Sequence, residues 1–261
     1  MGIDEAAVTA GWEAYFEVIG AGGTAEEASA AEEAGIDLLL VRAYPEIGEI
    51  RKAAKKTFIS VSIPFIKYAS KYDIVKDSLE VIDLGFDSIT CGSWNLDFME
   101  YLNGFNIPMQ GHAGFVPRKS TWTGGVKAVG KTFEEAKKLY NEIKLIEKTG
   151  AWSVEVECVP SKVMEIISNN TSMVTVSIGS GYNSDVQFLF AEDILGYGNV
   201  ELPRHAKQYR NFKIIYDNLQ KERIKAFKEY KRDIKDKIFP TKSNIIGISE
   251  TELNKFKNSI K

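Results

Sequence analysis

The chain has 261 residues, of which 44% are hydrophobic and 26% are charged. This composition is typical of a globular protein with apolar mass for one large core or two small ones, and it excludes a disordered, fibrous or disulfide-built protein. Lys and Arg total 33 against 36 for Asp and Glu, giving a formal net charge of -3. The chain therefore has no general electrostatic attraction for nucleic acid or for an anionic membrane.

The two cysteines and the first residues bear on the cellular compartment. Cys91 and Cys158 fit neither a CxxC motif nor a zinc-ligand spacing, so we expect small core residues in a reducing environment. The acidic start, with Asp4 and Glu5, is unlike a signal or transit peptide. No window approaches the roughly 18 uninterrupted apolar residues that a membrane span requires. We therefore expect a cytoplasmic protein with no membrane partner.

Short β-branched apolar runs alternate with longer helical patterns along most of the chain, which is the rhythm of an α/β fold. Two threonines, each followed by two glutamates, are typical helix N-caps at Thr24 and Thr132. The predicted strands are 15–19, 37–41, 57–62, 87–90, 107–110, 153–157, 173–178 and 187–190. The predicted helices between them are 24–34, 46–54, 72–84, 96–103, 133–148 and 162–168.

Strands that are apolar almost throughout, such as 38–41, are typical of a parallel sheet buried on both faces. Eight βα units in about 250 residues favour a (β/α)8 TIM barrel, here residues 1–203, over an open α/β sheet. From residue 204 the pattern changes to charged helix, predicted at 207–220 and 221–238, and we expect residues 204–240 to pack on the barrel as a helical extension. Residues 241–261 are predicted to form a tail or an extra cap.

In such a barrel the reactive side chains lie at the carboxyl ends of the strands. Glu157 ends a predicted strand, where partial burial would raise the pKa of its carboxyl group toward the range useful for proton transfer. An ion pair at the barrel mouth is the alternative. Glu155 shares the same strand face by the two-residue period. His112 lies just past a predicted strand and is a candidate for catalysis, with a hydrogen-bonded structural role as the alternative.

Two glycine-containing loops are weaker candidates for ligand binding. The basic loop 124–131, which includes Lys127, could close over an anion. The turn after the predicted strand 173–178 could bring the backbone N–H groups of Gly179 and Ser180 to a carboxylate or phosphate. It lacks the third glycine and the downstream acid of a dinucleotide-binding site.

Six segments occur in an order that is difficult to obtain by chance. They read GHAGFVP at 111–117, GGVKAVGK at 124–131, VECVP at 156–160, IGSG at 178–181, DVQ at 185–187 and EDILG at 192–196. In these segments the chain resembles the ketopantoate hydroxymethyltransferase family of the phosphoenolpyruvate mutase-like barrel superfamily, over residues 35–240.

The resemblance implies a reaction of pantothenate biosynthesis in a homo-oligomeric enzyme. An α-keto acid is enolised with the help of magnesium, and its C3 carbanion takes a one-carbon unit from the co-substrate methylenetetrahydrofolate. Glu157 falls at the family's general acid/base position. The resemblance also implies a small carboxylate as the substrate.

The chain departs from the family where the magnesium ligands are expected. The resemblance places those acids at the ends of three early strands, and the corresponding residues are Ala43, Ser62 and Gly92. Because magnesium prefers carboxylate oxygens, we expect no tightly bound metal. Arg42 is the candidate replacement, since its fixed charge could pair with a substrate carboxylate. Further oxyanion donors would be Tyr44, Ser62, Thr90 and His112.

The alternative role of Arg42 is an ion pair with Glu157 or Glu155. Three hypotheses on function follow from these residues. The first is a hydroxymethyltransferase-like enzyme that uses Glu157 as base and Arg42 in place of the metal. The second is a metal-independent lyase, hydrolase or isomerase of another carboxylated small molecule in the same pocket. The third is a catalytically silent homologue.

Overall fold

A computed structural model of the protein describes residues 24–43, 47–63, 67–91, 95–198 and 201–260. The chain divides into two compact units, residues 1–210 and 211–261. The first unit begins its described part with the N-cap Thr24, whose side chain accepts a hydrogen bond from the Glu27 backbone N–H, as its sequence predicts.

One parallel sheet organises the first unit. Its strands, as far as the described residues go, are β1 Leu38–Arg42, β2 Phe58–Ser62, β3 Ser88–Thr90, β4 Met109–Gly114, β5 Ser153–Glu157, β6 Val174–Ile178 and β7 Val186–Gln187. Each strand pairs in parallel with the next, in the order β1-β2-β3-β4-β5-β6-β7. A doubly wound open sheet reverses its strand order at a switch point, and this order has no reversal.

The sheet is curled into a half-barrel of seven parallel strands. The predicted strand 15–19 lies outside the described residues, so the closed eight-stranded barrel stays a prediction. The last strand is shorter than predicted: β7 spans Val186–Gln187, and of the predicted 187–190 only Gln187 is paired as strand.

Helices connect the strands in the alternation that the sequence predicts. They are α1 Ala25–Glu33, α2 Gly48–Ala53, α3 Lys71–Asp83, α4 Leu96–Asn103, α5 Ser120–Thr123, α6 Phe133–Lys148, α7 Ser161–Ser168 and α8 Ala191–Leu195, with a 3-10 turn at Pro117–Lys119. Thr132 caps α6 by accepting from the Glu135 backbone N–H, because free N–H groups in a first helical turn need an acceptor.

The two faces of β5 differ in chemistry. Val154 and Val156 are fully buried in the apolar core together with Ile143 and Ile146 of α6. The alternate residues Ser153, Glu155 and Glu157 are also buried, and they lie on the opposite face because successive strand residues alternate. The sheet therefore has an apolar face toward the helices and a polar inner face.

Strand β4 extends beyond its predicted end at residue 110 through Gly114. The extension includes Gly111, where a Cβ atom would lie 2.5 Å from Cγ2 of Ile146. Glycine at this position permits close packing of β4 against α6. His112, predicted to follow the strand, is therefore a strand residue.

The second unit is helical, with α9 Phe212–Lys235, a 3-10 turn at Lys242–Asn244, and α10 Glu250–Ser259. The two helices predicted at 207–220 and 221–238 are one continuous helix, since neither Gly nor Pro interrupts 212–235. Packing of residues 204–240 on the barrel stays a prediction. None of the helices that the structure describes has the length and apolarity to cross a membrane.

Candidate active site

The pairing of β4 with β5 brings one histidine and two glutamates together. In the register of these strands His112 is opposite Glu155, and Gly114 is opposite Glu157. The His112 Nε2 atom lies 3.1 Å from Glu157 Oε2 and 3.7 Å from Glu155 Oε1. We call these three residues the His–Glu–Glu cluster.

The cluster is nearly shielded from solvent, with Glu155 only 4% and Glu157 only 2% exposed. Burial alone would lower the pKa of His112, but the charge of Glu155 and the hydrogen bond to Glu157 outweigh it and raise that pKa to about 9. Burial raises the pKa of Glu155, and the His112 charge opposes this rise. The imidazole is consequently cationic at neutral pH.

Backbone contacts fix the end of β5 from both sides. The carbonyl of Glu157 accepts a hydrogen bond from the Phe115 N–H at 2.8 Å, and the Cys158 N–H donates to the Ile178 carbonyl at 2.8 Å. Cys158 has a positive φ of 53°, so the chain turns sharply after Glu157. The backbone at the strand end that carries Glu157 is therefore hydrogen-bonded both to the residue that follows β4 and to β6.

Arg42, Ser62 and Thr90 occupy one register row. Arg42 pairs with Ser62, Ser62 with Thr90, and Thr90 with Gln110 of β4. The Thr90 Oγ1 atom lies 2.7 Å from Ser60 Oγ and 3.4 Å from Gln110 Oε1. Gln110 shares a strand face with His112. These predicted residues thus lie on the inner face that carries the His–Glu–Glu cluster, two residues nearer the amino ends of the strands.

The ends of β1 and β2 do not fit a magnesium ion. The residues described there offer a guanidinium at Arg42, a methyl group at Ala43 and a hydroxyl at Ser62, whereas magnesium requires several oxygen ligands and favours carboxylates. Gly92 and Tyr44 lie outside the described residues. The residues described at these two strand ends therefore provide no carboxylate for magnesium, and independence of a metal stays a prediction.

The His–Glu–Glu cluster is a second place where a cation could be held. Its ligand atoms all lie within 4.8 Å of one another. Bonds of about 2.1 Å to a tetrahedral metal would place neighbouring ligand atoms about 3.4 Å apart, and the 3.7 Å between His112 and Glu155 exceeds this. The 3.1 Å between His112 and Glu157 is an N–H···O hydrogen-bond distance. In the present geometry the imidazole is hydrogen-bonded to Glu157 and lies close to Glu155.

The chain is similar in sequence to a known protein family. Residues 14–242 match the family described as ketopantoate hydroxymethyltransferase. The 3-methyl-2-oxobutanoate hydroxymethyltransferase of Enterococcus faecalis is 34% identical over 210 residues, which cover 79% of this chain and 74% of that protein. The chain belongs to the ketopantoate hydroxymethyltransferase family.

Two further relatives carry the same name. That of Nitrosopumilus maritimus is 30% identical over 214 residues, covering 81% of this chain and 74% of its own, and that of Clostridioides difficile is 33% identical over 210 residues, covering 79% and 74%. The resemblance drawn from the six sequence segments is thereby confirmed. As a ketopantoate hydroxymethyltransferase homologue, the chain joins a family of one-carbon transferases whose name implies pantothenate biosynthesis.

The remaining predicted ligand-binding residues of this family member lie in loops outside the strands that carry the cluster. Lys127 is exposed in the loop 124–131, where its charge acts on Glu135. Gly179 is exposed and has φ 68°. Ser180 is fully buried, donating its hydroxyl to the Val156 carbonyl at 2.8 Å and accepting from the Val159 N–H at 3.0 Å. Their roles toward a substrate stay predictions.

Two residues of the site are absent from the predicted catalytic set. The two-residue period of the strand predicts that Glu155 lies on the same face as Glu157. Its role depends on His112 of β4, whose Nε2 atom lies 3.7 Å from Glu155 Oε1. Lys119, in the 3-10 turn after β4, lowers the pKa of His112 by its charge and donates to Glu142 at 2.9 Å. No sequence pattern points to Lys119, because its position depends on the turn geometry.

Proposed function

We propose that this protein is a hydroxymethyltransferase that enolises a small α-keto acid, of the class of 3-methyl-2-oxobutanoate, and joins it to a one-carbon unit. The observation that carries the proposal is the buried hydrogen bond between His112 and Glu157, 3.1 Å long, at the carboxyl edge of the sheet. Family membership supports the reaction class.

Glu157 is the base of the proposed reaction. Its carboxylate takes the C3 proton of the keto acid, and the electron pair of that C–H bond becomes the enolate. Its burial, with 2% of the residue exposed, keeps bulk water away from the proton transfer. The neighbouring His112 cation faces the negative charge that develops on the substrate.

Arg42 supplies a second fixed positive charge on the same inner face. A guanidinium can bind the substrate carboxylate through two parallel hydrogen bonds. Ser62 and Thr90, in the register row of Arg42, would donate hydrogen bonds to the same anion. Together these groups provide the positive charge and the donors that an enolate requires without a carboxylate-bound magnesium at the ends of β1 and β2.

The overall step balances without an oxidant or reductant. The C3 carbanion forms a carbon–carbon bond to the methylene carbon of methylenetetrahydrofolate, and the oxygen of water forms a C–O bond to the same carbon. Both C–N bonds that join this carbon to the carrier break, and one of the two freed nitrogens takes the remaining proton of water. Tetrahydrofolate leaves, and the proton taken by Glu157 is returned to it or to solvent.

The donor set at β1 and β2 also favours a second candidate function. Replacement of magnesium ligands by Arg42, Ala43 and Ser62 is compatible with a metal-independent lyase, hydrolase or isomerase of another carboxylated small molecule. Such an enzyme would use the same Glu157 and His112. A catalytically silent homologue is the third possibility, and the same experiment separates all three.

The test is exchange of the C3 proton of 3-methyl-2-oxobutanoate for deuterium, followed by NMR, with EDTA and separately with added magnesium. We expect exchange in both conditions, abolished by Glu157→Gln and retained by Glu165→Gln, a control on helix α7 whose carboxylate pairs with Lys162. Exchange that survives Glu157→Gln would show that Glu157 is not the base.

Each remaining outcome selects another hypothesis. Exchange only with magnesium would show that this chain retains the family's metal requirement. Absence of exchange in both conditions would exclude 3-methyl-2-oxobutanoate as substrate, and a panel of other keto and hydroxy acids would then separate the second function from the silent homologue.

A further inference from the structure

Glu155 is a buried carboxylate without hydrogen-bond compensation. It is 4% exposed, and its side chain makes no hydrogen bond within the described parts of the chain. Its one close polar contact there is the 3.7 Å approach to His112 Nε2. A buried carboxylate is destabilising by several kcal/mol unless a cation lies beside it. Among the described residues, His112 is thus the group placed to compensate the charge of Glu155.

We propose that Glu155 is a positioning residue that keeps the His112 imidazole cationic and turned toward β5, so that the site presents a fixed positive charge to a carboxylate or enolate. The inference rests on the proposed function for the identity of that anion. It assigns to the His112–Glu155 pair the charge that a metal supplies in the family reaction.

The groups that face His112 account for its charge. From β5 come the carboxylates of Glu155 and Glu157, and from the 3-10 turn after β4 comes Lys119. The positive charge of Lys119 disfavours protonation of His112. The Lys119 ammonium group is paired with Glu142 at 2.9 Å, and this pairing reduces its effect on the imidazole. Burial and Lys119 oppose the protonation of His112, and the two carboxylates outweigh them.

The orientation of the imidazole leaves one nitrogen for a ligand. Both glutamates approach Nε2, whereas Nδ1 has no hydrogen-bond partner among the residues that the structure describes. The side chain of His112 is 16% exposed, more than either glutamate. An imidazolium carries a proton on both nitrogens, so the N–H at Nδ1 can donate to an incoming anion while Nε2 is held by the carboxylates.

Glu155 is distinct from Glu157 in this arrangement. Glu157 accepts the hydrogen bond at 3.1 Å and stands at the strand end, next to the turn at Cys158. Glu155 lies two residues deeper, directly opposite His112 in the register. It therefore acts on the reaction through His112 and has no need to touch the substrate.

The test uses the fact that the chain has two histidines. With histidine labelled in 15N, NMR titration reports the protonation of His112 and of His205 separately, without any assay of activity. In Glu155→Gln, which preserves shape and removes charge, we expect the His112 midpoint to fall by about one unit or more, with that of His205 unchanged.

Glu155→Asp keeps the charge, and we expect it to hold the His112 midpoint closer to that of wild type than Glu155→Gln does. If Glu155→Gln fails to fold, the wild-type protein still tests the inference, because a His112 midpoint near the ordinary value of 6.5 would contradict it. An unchanged His112 midpoint in folded Glu155→Gln would overturn it. So would a His112 that titrates only after EDTA treatment, since this would reveal a bound metal in place of the proton.

A kinetic readout connects the pair to the reaction. We expect Glu155→Gln to shift the alkaline limb of the C3-exchange pH profile to lower pH by the same interval as the His112 midpoint, with the apparent KM for the keto acid raised. A lowered His112 midpoint together with no exchange by wild-type protein would support the charge assignment and overturn the proposed function. Exchange by wild-type protein, with an unshifted pH profile in Glu155→Gln, would support the proposed function and overturn the charge assignment.

Discussion

Gly114 and Glu157 face each other across the β4–β5 pair so closely that a Cβ atom at position 114 would lie 2.4 Å from the Glu157 carbonyl oxygen. Gly114 also has φ 84°, in the left-handed region that residues with a side chain rarely adopt. The neighbouring Phe115 N–H donates to that same carbonyl. Glycine at position 114 therefore sets the approach of β4 to the proposed base.

We expect Gly114→Ala to lower the free energy of unfolding by more than the approximately 1–3 kcal/mol that a strained backbone alone costs, because the methyl group adds a collision with the Glu157 backbone. Displacement of Glu157 should also reduce C3 exchange. Urea denaturation measures the first effect, and NMR exchange measures the second.

Gly35→Ala is the matched control. Gly35 has φ 78° and no atom within 4 Å of its would-be Cβ, so this variant experiences the backbone strain without the collision. Equal losses of stability in the two variants would show that the contact at Glu157 does not matter.

The charge of His112 predicts a pH dependence of stability. Its pKa in the folded protein is about 9, against 6.5 ordinarily, so protonation favours the folded state. The contribution is complete below about pH 6.5 and is lost as the pH rises through 9. At about 1.4 kcal/mol per unit, the loss is on the order of 3 kcal/mol. Burial raises the pKa of Glu155 above 4.5 in the folded protein, so the loss of its proton lowers stability as the pH rises from that value upward.

Urea denaturation at intervals between pH 6 and pH 10 measures this loss of stability in the wild-type protein. We expect a smaller decline over this window in His112→Asn, which cannot bind the proton. The same decline in both proteins would assign the pH dependence to other groups.

The sequence predicted the site where local patterns determine it. The alternation of Val154 and Val156 with Glu155 and Glu157 identifies both a strand and its two faces, and the turn after residue 157 marks its end. The predicted strand 107–110 instead ended before Gly111 and Gly114, which placed His112 beyond the strand. Glycine is needed at these two positions because of close contacts with Ile146 and Glu157. Contacts between segments that are distant in sequence leave no local sequence pattern.

The importance of Glu155 escaped prediction for the same reason. Its face was predictable from the period of two, but its partner depends on the register of β5 against β4, which places it opposite His112. A shift of one residue would turn every side chain of the strand to the other face. The register between β4 and β5 therefore determines which side chains meet in the candidate site.

Cys158 follows the proposed base and offers a test of whether the site has a nucleophilic thiol. Burial, and then the charge of Glu157, raises the pKa of Cys158 to about 11. At pH 8 the thiolate fraction is then about 0.001, against about a quarter for a free cysteine of pKa 8.5. We expect reaction with a disulfide reagent to be roughly 100-fold slower, or more, in native than in unfolded protein.

Cys91 does not interfere with this measurement, since it is 2% exposed and burial raises its pKa further. We expect Glu157→Gln to accelerate the reaction of Cys158 only modestly, because burial is the larger cause. Rapid labelling of native protein at one thiol would show that Cys158 is accessible and reactive. It would then be a candidate nucleophile for covalent catalysis.

Ser180 ties the loop after β6 to β5, and this predicts a loss of stability on its removal. Its hydroxyl donates to the Val156 carbonyl and accepts from the Val159 N–H, on either side of Glu157 and Cys158. In Ser180→Ala both backbone groups lose this partner, and we expect about 1–3 kcal/mol of destabilisation in urea. Ser259→Ala, which removes one exposed hydrogen bond to Phe256, should change stability by about 0.5 kcal/mol or less.

The same variant separates support of β5 from contact with substrate. If Ser180 only supports the strand, Ser180→Ala should leave the apparent KM for the keto acid near that of wild type below the new unfolding temperature, while C3 exchange slows as Glu157 loses its fixed position. A KM raised several-fold at unchanged stability would instead place the Ser180 hydroxyl or its backbone N–H on the substrate.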